Sequence, residues 1–206
     1  GEVRVGVCGC GGLGLYVVDQ LARMGVGQVT VWDPDVFEEH NLNRQLLANM
    51  STLGMSKVEC ARRHVEQVNP TISLTTVQKK WQASETAFIA GHQVLVDALD
   101  NIPVRKELAQ FCANSGIPLV SGAVGGWYGQ IAVLYPGDAT DRYLYGENPD
   151  PRGLEKEEGT LPFAPAVIAS IEVAEVVKIL INRGQGLKNK ICMVNLLDME
   201  FDILDV

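Results

Sequence analysis

The stretch Val3-Arg4-Val5-Gly6-Val7-Cys8-Gly9-Cys10-Gly11-Gly12-Leu13-Gly14 decides how the rest of the chain is read. Val3–Cys8 is a short apolar run, suited to a strand buried on both faces, and glycines end it. Leu13, Val17, Leu21 and Met24 then recur at helical spacing. Strand, glycine loop and helix in that order form a phosphate-binding turn. The small residues let the backbone approach a phosphate, and the unpaired amides of the first helical turn face it. Gln28–Trp32 follows as a second, β-branched strand, and Asp33 closes it about twenty residues past the loop, where an acid accepts hydrogen bonds from ribose hydroxyls. Taken alone, the glycines also suit tight packing with no ligand.

Outward from this unit the alternation continues. Ser56–Val68 reads as a helix with Val58, Ala61, Val65 and Val68 on one face, and Ser56-x-x-Glu59 has the form of a capping box. Ile72–Val77 and Val94–Leu99 read as strands. Pro103 opens a helix carrying Val104, Leu108 and Phe111. Leu119–Ser121 and Gln130–Tyr135 follow as strands, Pro165–Ile181 as an apolar buried helix interrupted by Glu172, Glu175 and Lys178, and Ile191–Leu196 and Glu200–Leu204 as a terminal strand pair. The predicted fold class is α/β: a Rossmann-like, doubly wound, mainly parallel sheet with helices on both faces and antiparallel C-terminal strands. Eight strand–helix pairs do not fit, which excludes a closed α/β barrel. The expected organisation is one domain over residues 1–206, with a crossover loop over 137–163 where the pattern between Pro136 and Pro162 breaks down.

Composition narrows the function classes. The 206 residues carry a formal charge of −8 without a long Lys/Arg run, which disfavours nucleic acid or an anionic membrane as partner and requires a local cationic site for any anionic ligand. No secretory segment and no apolar run of about 18 residues stands out, so a cytoplasmic location is expected. The five cysteines, Cys8, Cys10, Cys60, Cys112 and Cys192, are odd in number, which suits a reduced compartment, and none forms a C-x-x-C pair.

A second group of residues pulls the glycine loop away from hydride transfer. Asp33-Pro34-Asp35 is followed by Asn41-Leu42-Asn43-Arg44-Gln45 and by Gly54-Met55-Ser56-Lys57, with Lys57 in the first turn of a helix. A site that breaks a triphosphate needs several cations, because charge grows on the leaving pyrophosphate. Arg44 and Lys57 supply two. Asp100, in Ala98-Leu99-Asp100-Asn101, stands at the end of a strand that faces the ligand crevice of such sheets, where a carboxylate beside phosphates suits Mg2+. Plainer roles stand beside these. Arg44 and Lys57 also read as solvated charges, Asp100 and Asn101 as helix caps, Asp35 as a turn acid, and His40 as a structural histidine. Cys10 combines a helix N-terminus, which lowers a thiol pKa, with the size of a packing residue. Trp127 and Tyr128 border either a ligand or the core.

With Gly-x-Gly-Gly-x-Gly, Asp-x-Asp, Asn-Leu-x-Arg-Gln, Gly-x-x-Lys-Val-Glu and Asp-Asn in this order, the chain resembles the ThiF/MoeB/HesA family, bacterial relatives of ubiquitin-activating enzymes. Gly122-Ala123, Gly129-Gln130-Ile131 and Ser170–Lys178 extend the likeness from about Val3 to Val206. The resemblance implies an ATP-dependent adenylyltransferase that activates the C-terminal glycine of a ubiquitin-like sulfur carrier ending in Gly-Gly, similar to ThiS or MoaD, and commonly a homodimer. The family's Mg·ATP contacts carry over to Gly9, Gly11, Gly12 and Gly14 at the loop and Asp33 at the ribose. Asn41, Arg44 and Lys57 fall at the phosphates, and Asp100 at the metal with Asn101 beside it. Arg44, Lys57 and Asp100 carry the catalysis.

The chain also departs from the family pattern. The two C-x-x-C pairs that hold zinc in many relatives are absent, so no structural zinc is expected. No cysteine lies between Cys112 and Cys192, so chemistry is expected to stop at the acyl-adenylate. Strand one is expected to begin at Val3, so the arm arginine of some relatives is not among residues 1–206, and either activity is weaker, another cation substitutes, or the arm was removed. Two other readings stay open at this stage. An NAD-dependent oxidoreductase shares the glycine loop and Asp33 but leaves Arg44, Lys57 and Asp100 unexplained. A catalytically silent carrier-binding protein would bind without transferring AMP.

Overall fold

The structure, a computed structural model, describes residues 3–84, 89, 91–138, 140–145 and 159–206. Eight strands form one sheet in the order β3-β2-β1-β4-β5-β6-β7-β8. They are β1 (Arg4–Cys8), β2 (Gln28–Trp32), β3 (Ser73–Val77), β4 (Val94–Asp97), β5 (Leu119–Gly125), β6 (Tyr128–Leu134), β7 (Lys190–Asn195) and β8 (Glu200–Asp205). The pairs from β3 through to β5 are parallel and those from β5 to β8 antiparallel. This is the fold class read from the sequence, and the order 3-2-1-4-5 of the parallel half places its topological switch point between β1 and β4.

Helices α1 (Gly14–Met24), α2 (Lys57–Val68) and α5 (Phe163–Ile181) cover one face, and α3 (Ile102–Ser115) and α4 (Thr140–Tyr145) the other. The central strands touch apolar side chains on both faces, which is why they read as unbroken apolar runs: Val5, Val7, Val94 and Val96 are fully buried beneath one layer and Cys8 and Leu95 beneath the other. Local signals end the helices. Gly25 and Gly116 take the left-handed conformation (φ 79° and 71°) that closes α1 and α3. The Asn101 side chain accepts the Val104 amide and caps α3, which bears out the capping role weighed for it.

Four expectations are corrected. The Ser56 hydroxyl makes no capping bond and lies buried without a partner among the described residues. The Lys57 amide goes to the Asp35 carbonyl instead, and Glu59 is occupied by Arg62 and Arg63. A working capping box sits upstream, where Glu38 and Asn41 bracket a 3-10 turn over Glu39–Asn41. Strand β4 stops at Asp97, two residues before Leu99, because the Asp97 carboxylate turns the chain by accepting the Leu99 amide. Strand β5 runs on to Gly125, longer than Leu119–Ser121, since β6 pairs with it as a hairpin around Gly126-Trp127. Within the stretch read as structureless, Thr140–Tyr145 is helical, with Asp138 accepting the Thr140 amide at its start. The remainder of that crossover loop, residues 139 and 146–158, lies outside the described residues.

Candidate nucleotide-binding site

At the C-terminal edge of the parallel strands, the loops leaving β1, β2 and β4 come together. The glycines of the first loop divide into two pairs. Gly9 (φ 100°) and Gly14 are packing positions: a Cβ would lie 2.5 Å from the Ala98 carbonyl oxygen at Gly9, and would overlap the Gly9 carbonyl at Gly14. These two glycines knit β1, α1 and the loop after β4 together. At Gly11 and Gly12 the nearest atoms to a Cβ are 3.7 Å away, on Gln45 and Pro165, and both residues are partly exposed. Here the backbone is open to a ligand.

Asp33 is nearly buried, and its carboxylate ties the loops to each other. One oxygen accepts the Cys10 amide at 2.7 Å and the other the Asp35 amide at 2.8 Å. Burial raises the pKa of the Asp33 carboxyl, while the Cys10 amide and the Lys57 charge pull it back. Each oxygen keeps a second lone pair for a hydroxyl donor. The Cys10 thiol is fully buried and pushed well above its ordinary value by burial and then by Asp33, so the packing reading of Cys10 holds and the activated-thiol reading is overturned. A helix terminus lowers a thiol pKa only where the thiolate stays solvated.

The loop from Glu38 to Gln45 lies against this turn. Asn41 is buried, with its side-chain oxygen accepting the Glu38 amide as part of the 3-10 turn. Arg44 is half-buried and donates to the His40 carbonyl and the Asn43 side chain. His40 itself is exposed and pairs with Glu38 at 3.2 Å, a structural contact. Gln45, beside Gly11, is buried, and its side-chain oxygen has no partner among the described residues. Lys57 opens α2 and reaches Asp35 at 3.2 Å, its own side chain 8% exposed. Across the switch point Asp100 is exposed, and no hydrogen bond or ion pair engages it among the described residues. Asn101 is committed to capping α3. Trp127 is half-exposed and packs on Phe163, ring centroids 5.0 Å apart, at the start of α5; Tyr128 opens β6.

Behind the loop after β4 lies a buried polar cluster that sequence reasoning missed. The Asp97 carboxylate accepts from Arg105 (2.8 Å) and Ser121 (3.1 Å), with the Tyr145 hydroxyl 3.4 Å away. Arg105 also donates to the Gly122 carbonyl. Glu172 of α5 fills the space where a Gly122 side chain would be, and is fully buried with both carboxylate oxygens unpartnered among the described residues. The signals were one acid inside an otherwise apolar strand run and one inside an apolar helix.

A doubly wound, mainly parallel sheet with an open glycine loop after β1, and a buried acid and a lysine beside that loop, has the form of an α/β nucleotide-binding protein. The chain belongs to the ThiF family, whose model matches residues 1–206. It is 36% identical to the SAMP-activating enzyme E1 of Haloferax volcanii, over 97% of this chain and 75% of that protein. It is also 36% identical to the molybdopterin-synthase adenylyltransferase of Salmonella typhimurium, over 97% of this chain and 82% of that protein. The sulfur carrier protein adenylyltransferase of Thermus thermophilus is 32% identical over 100% of this chain and 79% of that protein. The crystal structure of Escherichia coli MccB with ATP superimposes with a TM-score of 0.83 at 19% identity, covering 99% of this chain and 64% of that one, a likeness of fold. This chain is an adenylyltransferase and uses ATP. No described helix is long and apolar enough to cross a membrane.

Proposed function

We propose that this chain joins the C-terminal carboxylate of a ubiquitin-like sulfur carrier to AMP, releasing pyrophosphate. What supports the reading is the open Gly11–Gly12 backbone with the buried Asp33 carboxylate bonded to the same loop and Lys57 held beside it by Asp35, and with Arg44 and Asp100 in the loops that follow β2 and β4. The carrier's carboxylate oxygen attacks the α-phosphorus. A new O–P bond forms as the bond to the β-phosphate oxygen breaks, and the electron pair leaves with pyrophosphate. No protein nucleophile is required, so the chain's task is to align two anions and neutralise them. Gly11 and Gly12 bring amides to the phosphates, and Asp33 accepts the ribose hydroxyls. Arg44 and Lys57 offset the charge that grows on the leaving pyrophosphate. Asn41 has committed its oxygen, which leaves its amide donors for a phosphate oxygen. The partnerless oxygen of Gln45 beside Gly11 fits a polar ligand at that place.

Asp100 fits Mg2+: the carboxylate is exposed and uncommitted at the strand end. Asp100 would hold the ion, which would offset negative charge on the phosphates. Residues 1–206 act as one adenylation domain, the carrier ends in Gly-Gly, and two copies associate as a homodimer.

The test is carrier-dependent exchange of labelled pyrophosphate into ATP, with a carrier ending in Gly-Gly. Wild-type chain exchanges label, and Asp100→Ala lowers the rate by about 10²–10³, the usual loss for one preorganised electrostatic group. Near-normal exchange in that variant refutes the assignment of Asp100. Calorimetry that finds no ATP uptake but clear affinity for a nicotinamide dinucleotide refutes the reading as a whole.

A further inference from the structure

The function proposed above gives Asp35 nothing to do, yet its place is closely defined. The Asp33 carboxylate accepts the Asp35 amide, the Asp35 carbonyl accepts the Lys57 amide at 3.1 Å, and Val36 bridges Ser56 antiparallel. Contacts on both sides therefore hold the Asp35 backbone against the first turn of α2. From there its carboxylate reaches the Lys57 ammonium at 3.2 Å. The two ends of the pair differ: the Lys57 side chain is 8% exposed and that of Asp35 is 62% exposed. A buried cation is held by an anion that stands mostly in water.

We propose that Asp35 is a stand-in anion of the phosphate subsite. Its carboxylate neutralises Lys57 until a nucleotide phosphate takes its place, and it thereby sets how tightly ATP and pyrophosphate are held. The proposal rests on the reading that Lys57 faces the phosphates. A buried ammonium with no anion beside it is costly, so the ligand-free site gains from having one built in. When phosphate arrives, the carboxylate is the cheaper partner to release, because most of its surface is already hydrated. Asp33 and the Cys10 thiol also face Lys57. Asp33 is anchored by two backbone amides and Cys10 is a buried thiol, so Asp35 is the partner free to exchange. Its displaced charge stays close to the phosphates and opposes them. Competition and repulsion both weaken phosphate binding, and for the leaving pyrophosphate both favour release.

Asp35→Asn keeps the shape and every main-chain bond while removing the charge. Calorimetry is run with Mg·ATP, and separately with pyrophosphate, on wild type, Asp35→Asn, Lys57→Ala and the double variant. Asp35→Asn is expected to bind both ligands about fivefold more tightly, the size of effect an exposed carboxylate exerts on one ion pair. Lys57→Ala weakens both, and the gain from Asp35→Asn vanishes once Lys57 is absent, because the two positions are coupled. A purely structural Asp35 would instead lower the unfolding midpoint of Asp35→Asn and weaken both ligands, which overturns the proposal. A gain that persists without Lys57 overturns it as well, by making the effect one of bulk charge. Wild-type affinity for ATP in Lys57→Ala would sink the placement of the phosphates itself, a different failure from that of Asp35.

Discussion

Asp97 and Asp100 stand three residues apart at the end of β4 and meet opposite fates. Asp97 is fully buried, and its oxygens are taken by the Leu99 amide, Arg105 and Ser121. Asp100 is exposed, and no described residue engages it. One acid builds the turn and the other is presented by it. A carboxylate surrounded by donors has its lone pairs spent on the fold, whereas one left to water is ready for a cation that arrives with substrate. The same contrast separates Asp33, whose two oxygens each accept one backbone amide, from Glu172, which is buried with no hydrogen bond to either oxygen among the described residues.

Exchanging the two fates is the sharpest way to break this comparison. Asp100→Ala should remove about 10²–10³ of the exchange rate while its urea midpoint stays at the wild-type value. Asp97→Ala should do the reverse in kind. It costs about 3–5 kcal/mol of stability in urea denaturation, because the Arg105 guanidinium loses its buried carboxylate. If Asp97→Ala kept its stability and lost only activity, the line between presenting and presented acid would have to be redrawn.

Glu172 sharpens the buried side. Burial, and then the charge of Asp97, push its carboxyl well above the ordinary 4.5, against partial relief from the Arg105 charge. A carboxyl that holds its proton more tightly in the folded state leaves stability intact below its unfolded pKa. That stability is lost as the pH rises from there toward the folded value. Urea midpoints measured from about pH 5 to pH 8 should therefore fall with pH in the wild type and fall less in Glu172→Gln. Identical slopes would mean that Glu172 ionises without cost and has found a donor.

The smallest contrast lies between two helix starts. Asn101 makes its capping bond and Ser56 does not. Asn101→Ala should cost about 1 kcal/mol. Ser56→Ala should cost less than about 0.5 kcal/mol, since it removes a buried hydroxyl that has no partner. Equal losses would show that the Ser56 hydroxyl bonds in solution.

Much of the fold was readable because its signals are local. Strands β1 and β2 were placed to within a residue, since apolar runs bounded by glycine or an acid need no distant information. The start of α2 was placed as well, for a reason that failed: its first amide is satisfied by Asp35, across a loop, and not by the Ser56 side chain. For the candidate site, residue type, order and family likeness proposed the glycine loop, Asp33, Arg44, Lys57 and Asp100, and the structure bonds Asp33 to that loop and holds Lys57 beside it. Asp97 was hidden because it sat inside an apolar run and read as part of it. Gln45 was quoted in its motif with no hint that its oxygen would be stranded beside Gly11.

Residue order alone determined the parallel α/β frame, the position of its glycine turn and the kinds of charge that follow it in the chain. Periodicity, glycine and chain order act within a few residues, and they survive in a linear string. Tertiary structure alone decided which acids are spent and which are free, which glycines pack and which stay open, and which anion Lys57 holds. Those outcomes depend on solvent exclusion and on partners that a local pattern does not reveal, many of them distant in the chain, and a charge has no fixed role until the fold has chosen its neighbours.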